Sequence, residues 1–201
     1  MKKLKVSDEI AKSNIQINSS WNFSNEIDEI TCKRIINLSK GKWEKGTVGG
    51  LVKRSNGIRQ SDIVWTTEQW VYDLVFKYME IANKNSGWNF NIDAAEEMQI
   101  TKYDVGGYYE YHYDGNGITK YNDPKNKFLN GKTRKLSMTI VLNNDYEGGE
   151  FTFLNSLSPD LIKEKAGTII TFPSYMVHKV NPITKGTRYS LVVWFVGEPF
   201  K

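Results

Sequence analysis

From about residue 88 onward the apolar side chains recur at every second position, and that period is what most constrains the fold. Met98, Ile100 and Lys102 alternate with Gln99, Thr101 and Tyr103, and Leu136, Met138, Ile140 and Leu142 alternate with Ser137, Thr139 and Val141. Successive side chains of a strand point to opposite faces, so such stretches read as strands. Residues 108–114 read as a central strand reached through Gly106-Gly107, and residues 150–154, 167–172 and 189–196 as three more. Asp145-Tyr146-Glu147-Gly148-Gly149 reads as a turn. The 115–135 segment holds Gly115, Gly117, Asp123-Pro124 and Asn130-Gly131 and reads as a long loop. Its cations, Lys120, Lys125, Lys127, Lys132, Arg134 and Lys135, read as solvated surface.

The first part of the chain has a different period. Ser24 reads as a helix cap with Glu26 and Asp28 in the first turn, and Ile27, Ile30, Cys32, Ile35, Ile36 and Leu38 form a helical stripe. Thr66-Thr67-Glu68-Gln69 fits a capping box, followed by Trp70, Val71, Leu74, Val75, Tyr78, Met79 and Ala82 at helical spacing. A short strand is expected near residues 15–17, a hairpin around Ser55-Asn56-Gly57, and a short apolar piece at Ile63-Val64-Trp65. Helices first and many short strands afterwards indicate an α+β chain, mainly β, whose β part is a sandwich or a barrel.

At 201 residues the chain suits a single domain over 1–201, with a β core at about 97–197 and helical support at about 24–85. A net charge of +4 is too small to argue for nucleic acid. Cys32 is the only cysteine, which excludes an internal disulfide and a multi-cysteine zinc site. Asp8, Glu9 and Lys12 stand where a signal peptide needs an apolar run, and no stretch reaches the length of a membrane span. The expectation is a soluble, cytoplasmic protein.

The chemistry centres on His112 and Asp114, two apart among aromatic residues and followed by Gly115. On one strand both would project from the same face, as one nitrogen and one oxygen ligand. A non-heme iron site needs a second histidine and open coordination positions. The only other histidine is His178, and Arg188 follows ten residues later. Taken singly, His178 also reads as a satisfied core histidine and Arg188 as an ion-pair partner.

His112-x-Asp114, His178 and Arg188, in this order and spacing, resemble the iron(II)/2-oxoglutarate-dependent oxygenases, and more narrowly the prolyl-4-hydroxylase group with its PKHD-type relatives. Supporting stretches run from about residue 97 to 195, through Tyr146-Glu147-Gly148-Gly149-Glu150-Phe151 and Ala166-Gly167-Thr168-Ile169-Ile170-Thr171-Phe172. Gly57-Ile58-Arg59-Gln60-Ser61-Asp62-Ile63-Val64-Trp65 resembles, more loosely, the mobile substrate loop of the oxygen-sensing prolyl hydroxylases. The resemblance implies a double-stranded β-helix, a cupin-like jelly roll with supporting N-terminal helices. It implies Fe(II) held by His112, Asp114 and His178, with O2 and 2-oxoglutarate as cosubstrates and ascorbate as reductant. Arg188 would anchor the far carboxylate of 2-oxoglutarate, with Tyr103, Ser190 and Thr139 in the same pocket. Arg59, Trp194 and Tyr109 would lie at the substrate, although core packing explains Trp194 equally. The chain departs from the oxygen-sensing members at Val141, where they carry a second active-site tyrosine.

The implied activity is hydroxylation of a proline residue in a protein or peptide, giving succinate and CO2. A nucleobase demethylase is disfavoured because Trp194 stands where that group has a second arginine. A free amino acid as substrate, and a cupin-like metal-binding module without turnover, are the remaining alternatives.

Overall fold

The computed structural model describes residues 17–48, 57–154 and 164–200. The strand expected near residues 15–17 and the hairpin at 55–57 fall mostly outside them.

Helix α1, Glu29–Asn37, starts four residues later than the Ser24 cap would put it. Asp28 is the cap, its carboxylate accepting the Thr31 amide at 2.8 Å. Residues before it cannot be helical, because the Glu26 and Ile27 amides both donate to the Gly167 carbonyl, at 3.0 and 3.2 Å. Helix α2, Gln69–Asn85, buries Val71, Val75, Tyr78, Met79 and Ala82 as its spacing predicts. Its capping box does not form. Thr66 ends a strand, Glu68 caps without a side-chain bond, and the Gln69 amide turns to Asp73 at 2.9 Å.

The strands form two antiparallel sheets. The larger runs in the order β1 (Trp21–Phe23), β11 (Ile169–Pro173), β8 (Thr133–Val141), β14 (Arg188–Gly197), β6 (Met98–Tyr103), β4 (Asp62–Thr66) and β2 (Glu44–Lys45), with β5 (Ala94–Ala95) beside β14. The smaller runs β10 (Phe151–Phe153), β12 (His178–Val180), β7 (Tyr108–His112) and β3 (Arg59–Gln60). A separate ribbon pairs β13 (Ile183–Gly186) with β9 (Tyr146–Gly148).

Alternation along the central strands divides the interior in two. Ile100, Leu136, Met138, Ile140, Leu191 and Val193 pack with Val71, Val75 and Met79 of α2 in the main core. The opposite side chains of the same strands, Thr101, Tyr103, Ser137, Thr139, Arg188 and Ser190, are also buried yet mostly polar. A second, smaller core of Tyr103, Phe151, Ile170, Phe172, Val180 and Ile183 joins the two sheets. Apolar rows seal one face, so polar rows line the space between the sheets. This is the jelly-roll arrangement with helices packed on one side. No described helix is long and apolar enough to cross a membrane.

Candidate active site

β7 and β12 are neighbours, and their register sets His112 directly opposite His178. The expected strand over 108–114 ends early, at His112, so Asp114 does not share a strand face with it. The backbone turns instead, because the amides of Asp114 and Gly115 both donate to the Ser174 carbonyl at 3.0 Å. That turn lays the Asp114 carboxylate against both imidazoles. Oδ1 lies 3.7 Å from His112 Nε2 and Oδ2 lies 3.7 Å from His178 Nε2. One ligand atom from each residue falls within 4.8 Å of the other two.

The tautomers suit a metal. His112 Nδ1 is 2.7 Å from the Glu110 carbonyl, and His178 Nδ1 is 2.9 Å from the Met176 carbonyl. A carbonyl only accepts, so both protons sit on Nδ1 and each Nε2 keeps a lone pair facing Asp114. Burial, then the neighbouring His178, pushes His112 down to about 4, which keeps the ring neutral. Burial alone would raise the Asp114 carboxyl. The two imidazoles, Arg134 and a hydrogen bond from Ser137 outweigh it and hold the group below its ordinary value. Two neutral nitrogens and one carboxylate on one side of a point fit Fe(II), with room for further ligands on the other side.

The same cavity, of about 640 Å³, is lined by Tyr103, Thr139, Arg188 and Ser190. Arg188 is 1% exposed, and its Nε and Nη2 have no hydrogen-bond partner among the described residues. The Tyr146 ring centre lies 5.9 Å from the guanidinium. The Glu164 carboxylate stands 3.5 Å from Nη2, an ion pair without hydrogen-bond alignment. Buried donors left open in a cavity wall require an acceptor, and a guanidinium matches a carboxylate. The residues therefore fit the far end of 2-oxoglutarate. Val141 is fully buried and offers no hydroxyl, and Tyr146 on β9 stands beside the guanidinium instead.

At the other end the cavity is lined by Arg59, Tyr109, Trp65 and Trp194. The Tyr109 ring stacks on His112 at 3.5 Å between centroids, and the Arg59 guanidinium lies 4.7 Å over Tyr109. Arg59 commits three of its five N–H donors, to Ser61 (2.7 Å), the Thr47 carbonyl (3.2 Å) and Gln99 (2.7 Å). Trp194 lies in the lining rather than the main core, with its indole N–H buried and unpartnered.

The reading of the 115–135 cations as solvated surface fails for Arg134 and Lys135. Lys135 is buried under the Phe200 ring. Arg134 lies 3.9 Å over the Trp194 ring, holds Glu96 through Nε and Nη2, and donates to the Asp114 carbonyl at 3.2 Å. The Tyr121 hydroxyl donates to the same Glu96 at 2.5 Å. Strand parity would put Arg134 with Leu136 in the main core. A bulge intervenes, since Phe195 pairs with Leu136 but Val196 with Arg134, and it re-aims the side chain. Gly115 makes room for it, because a Cβ there would sit 2.7 Å from Arg134 Cβ. Glu96, Gln99 and Glu164 carried no motif that would have singled them out, and Ser137, Tyr146 and Ser174 lay in stretches similar to the family without a role assigned to them.

Comparison with known proteins agrees with this geometry. Residues 98–196 match the family model described as the 2OG-Fe(II) oxygenase superfamily. A PKHD-type hydroxylase of Picosynechococcus sp. is 40% identical over 82 residues, covering 40% of this chain and 37% of the relative. Another, from Psychrobacter sp., is 36% identical over 97 residues, covering 47% and 36%. The chain thus spans well under half the length of these curated relatives. Among solved structures, the viral collagen prolyl hydroxylase of Paramecium bursaria Chlorella virus-1, in complex with 2OG, superposes with a TM-score of 0.67 at 22% identity, over 90% of this chain and 97% of the other. A Trichoplax adhaerens prolyl hydroxylase bound to a hypoxia inducible factor peptide gives 0.62 at 18% identity, over 97% and 93%. The stretch that matches the family model contains Asp114, both histidines and Arg188, and the solved structures share the fold.

Proposed function

We propose that this chain is an Fe(II)- and 2-oxoglutarate-dependent dioxygenase that hydroxylates a proline residue in a protein or peptide. The observation that carries this reading is one cavity with two ends. His112, Asp114 and His178 form a metal face at one place in its wall, and a buried Arg188 with open donors stands at another. A metal-binding module without turnover has no use for the second feature.

When bound, Fe(II), O2 and 2-oxoglutarate supply the oxidising chemistry, with one oxygen atom entering succinate and the other the substrate. The protein's own part is positioning. The Glu110 and Met176 carbonyls hold the two imidazoles in the ligating tautomer, and the Ser174 carbonyl holds the turn that presents Asp114. Arg188 orients the cosubstrate through its far carboxylate, with Tyr103, Thr139 and Ser190 as the wall around it. Phe151 and Phe172 pack against His178 and keep water from that flank.

The substrate end is aromatic, with Tyr109 and Trp194 flanking the way in. A proline ring is apolar and rigid, so it costs little entropy to hold between such faces, and oxidation goes to the C–H bond held nearest. The relatives' names support the same class, since they are PKHD-type hydroxylases and the structural neighbours include prolyl hydroxylases, one with a peptide bound. The test is mass spectrometry of a panel of proline-containing peptides incubated with Fe(II), 2-oxoglutarate and ascorbate. The expected result is a gain of one oxygen on proline with stoichiometric succinate. Oxidation of a free amino acid or a methylated oligonucleotide, with every proline untouched, overturns the substrate. No succinate with any candidate overturns the activity.

A further inference from the structure

Glu164 has no part in the scheme above, yet it is among the most deeply buried carboxylates of the described residues. Its side chain is 3% exposed, and among the described residues its ion-pair partner is Arg188, 3.5 Å away. One of its oxygens, Oε1, has no hydrogen-bond partner among the described residues. Glu164 does not line the cavity, so it approaches Arg188 from outside the lining, on the Nη2 side, while Nε has no hydrogen-bond partner among the described residues. Among the described residues, the charged and titratable groups facing this pair are Tyr103 from β6 and Tyr146 from β9, both across the guanidinium.

The charge count is the argument. As it stands, one guanidinium and one carboxylate share a dry place and nearly neutralise each other. A second carboxylate docking on Arg188 makes two anions against one cation. An excess buried charge is costly, and two carboxylates sharing one site resolve the conflict by holding a proton between them. Glu164 is the group able to take it. Burial, only partly opposed by Arg188, already pushes its pKa up to about 7.

We propose that Glu164 is the proton acceptor of the cosubstrate site: a dicarboxylate whose far end docks on Arg188 enters together with one proton, which Glu164 holds. The proton comes from solvent, and the Glu164 carboxylate becomes the neutral acid with no other bond made or broken. This rests on Arg188 being the anchor, as read above. The sign follows from linkage. Cosubstrate raises the Glu164 pKa further, so affinity is full at pH values below the free-state pKa of about 7 and falls as pH rises through it.

Isothermal titration calorimetry of 2-oxoglutarate into the Mn(II)-loaded protein, in two buffers of different ionisation enthalpy, reads the proton directly. At about pH 8 the wild type is expected to take up close to one proton per cosubstrate bound, and its Kd to rise by up to about tenfold per pH unit above neutrality. Glu164→Gln, which keeps the shape, should take up almost none and bind with a Kd that no longer depends on pH. Absence of proton uptake in the wild type overturns the proposal without any variant being needed, and so does uptake that persists unchanged in Glu164→Gln. Arg188→Ala separates the two levels: if it binds 2-oxoglutarate as tightly as the wild type, the anchor reading itself fails, whatever Glu164 does.

Discussion

His112 and His178 are register partners on adjacent antiparallel strands, so the two imidazoles rise side by side with ring centroids 4.3 Å apart. Their separation is set by strand pairing rather than by loop conformation, which makes the metal face rigid before any metal arrives. Each of His112→Ala, Asp114→Ala and His178→Ala is expected to abolish 2-oxoglutarate-dependent succinate formation. Mn(II) titration should show a loss of affinity beyond the roughly 10–100-fold typical of outer-sphere changes. Retained turnover in any one of them removes that residue from the ligand set.

Ser137 offers a finer test of the same site. Its hydroxyl lies 3.0 Å from the Ser174 hydroxyl, whose residue's carbonyl holds the Asp114 turn, and it helps to hold the Asp114 carboxyl below its ordinary value. Ser137→Ala should weaken metal binding by about 10–100-fold while leaving the fold intact, because a ligand without its orienting bond is less well aimed. Wild-type metal affinity in Ser137→Ala would show that the backbone turn alone positions the carboxylate.

Arg188→Ala should weaken cosubstrate binding by about 2–5 kcal/mol, the usual cost of truncating one partner of a buried charge pair. Arg188→Lys should lose less, since an ammonium keeps the charge but not the fork. Binding of 2-oxoglutarate to the Mn(II)-loaded protein measures both, and a Lys variant worse than the Ala variant contradicts the carboxylate reading.

The legible part of this fold was the part governed by period. Met98–Ile100 on β6, Leu136–Leu142 through β8 and the α2 stripe all lie on the faces their alternation assigns. His178 and Arg188 were legible only through the family pattern, since nothing in their own stretches distinguishes a ligand from a core residue. What escaped was set by tertiary competition. Ser24 lost the helix cap because the Gly167 carbonyl claims the Glu26 and Ile27 amides. Asp114 lies past the strand because the Ser174 carbonyl takes its amide. Arg134 looked like one more surface cation because a bulge cannot be read from parity. In each case the deciding partner is distant in sequence, and no local signal carries it.

Arg59 is a case where the geometry changes the expected reason for an effect. The resemblance makes it a grip on the peptide, yet three of its donors already hold Ser61, Thr47 and Gln99 while its plane covers Tyr109. That arrangement braces Tyr109, which in turn stacks on His112. Arg59→Ala is expected to lower hydroxylated product while 2-oxoglutarate consumption continues, because the substrate wall loosens and the metal face does not. Arg59→Lys should not restore coupling, since one ammonium cannot reach three acceptors in separate directions. The ratio of product to succinate reads this, and an unchanged ratio in Arg59→Ala counts against it.

The Arg134–Glu96 pair ties the 115–132 loop to the active site, and breaking it tests both stability and function. Glu96 receives Arg134 through two donors and Tyr121 through a third, all partly buried. Arg134→Ala would leave Glu96 buried with only Tyr121, and would take the cation off the Trp194 face. Removing one partner of a buried pair costs about 3–5 kcal/mol, and the low end applies because Arg134 keeps 22% side-chain exposure and so some solvent screening. Glu96→Gln should cost less, since it retains the shape and one acceptor. The double variant Arg134→Met with Glu96→Gln should recover part of the loss, because no uncompensated charge remains. Thermal unfolding of the metal-free protein gives these three stabilities. The functional arm is separate: even the re-stabilised double variant should hydroxylate poorly, because the Asp114 carbonyl loses its Arg134 donor and Trp194 its cover. A double variant with both wild-type stability and wild-type turnover would make the pair a structural link alone.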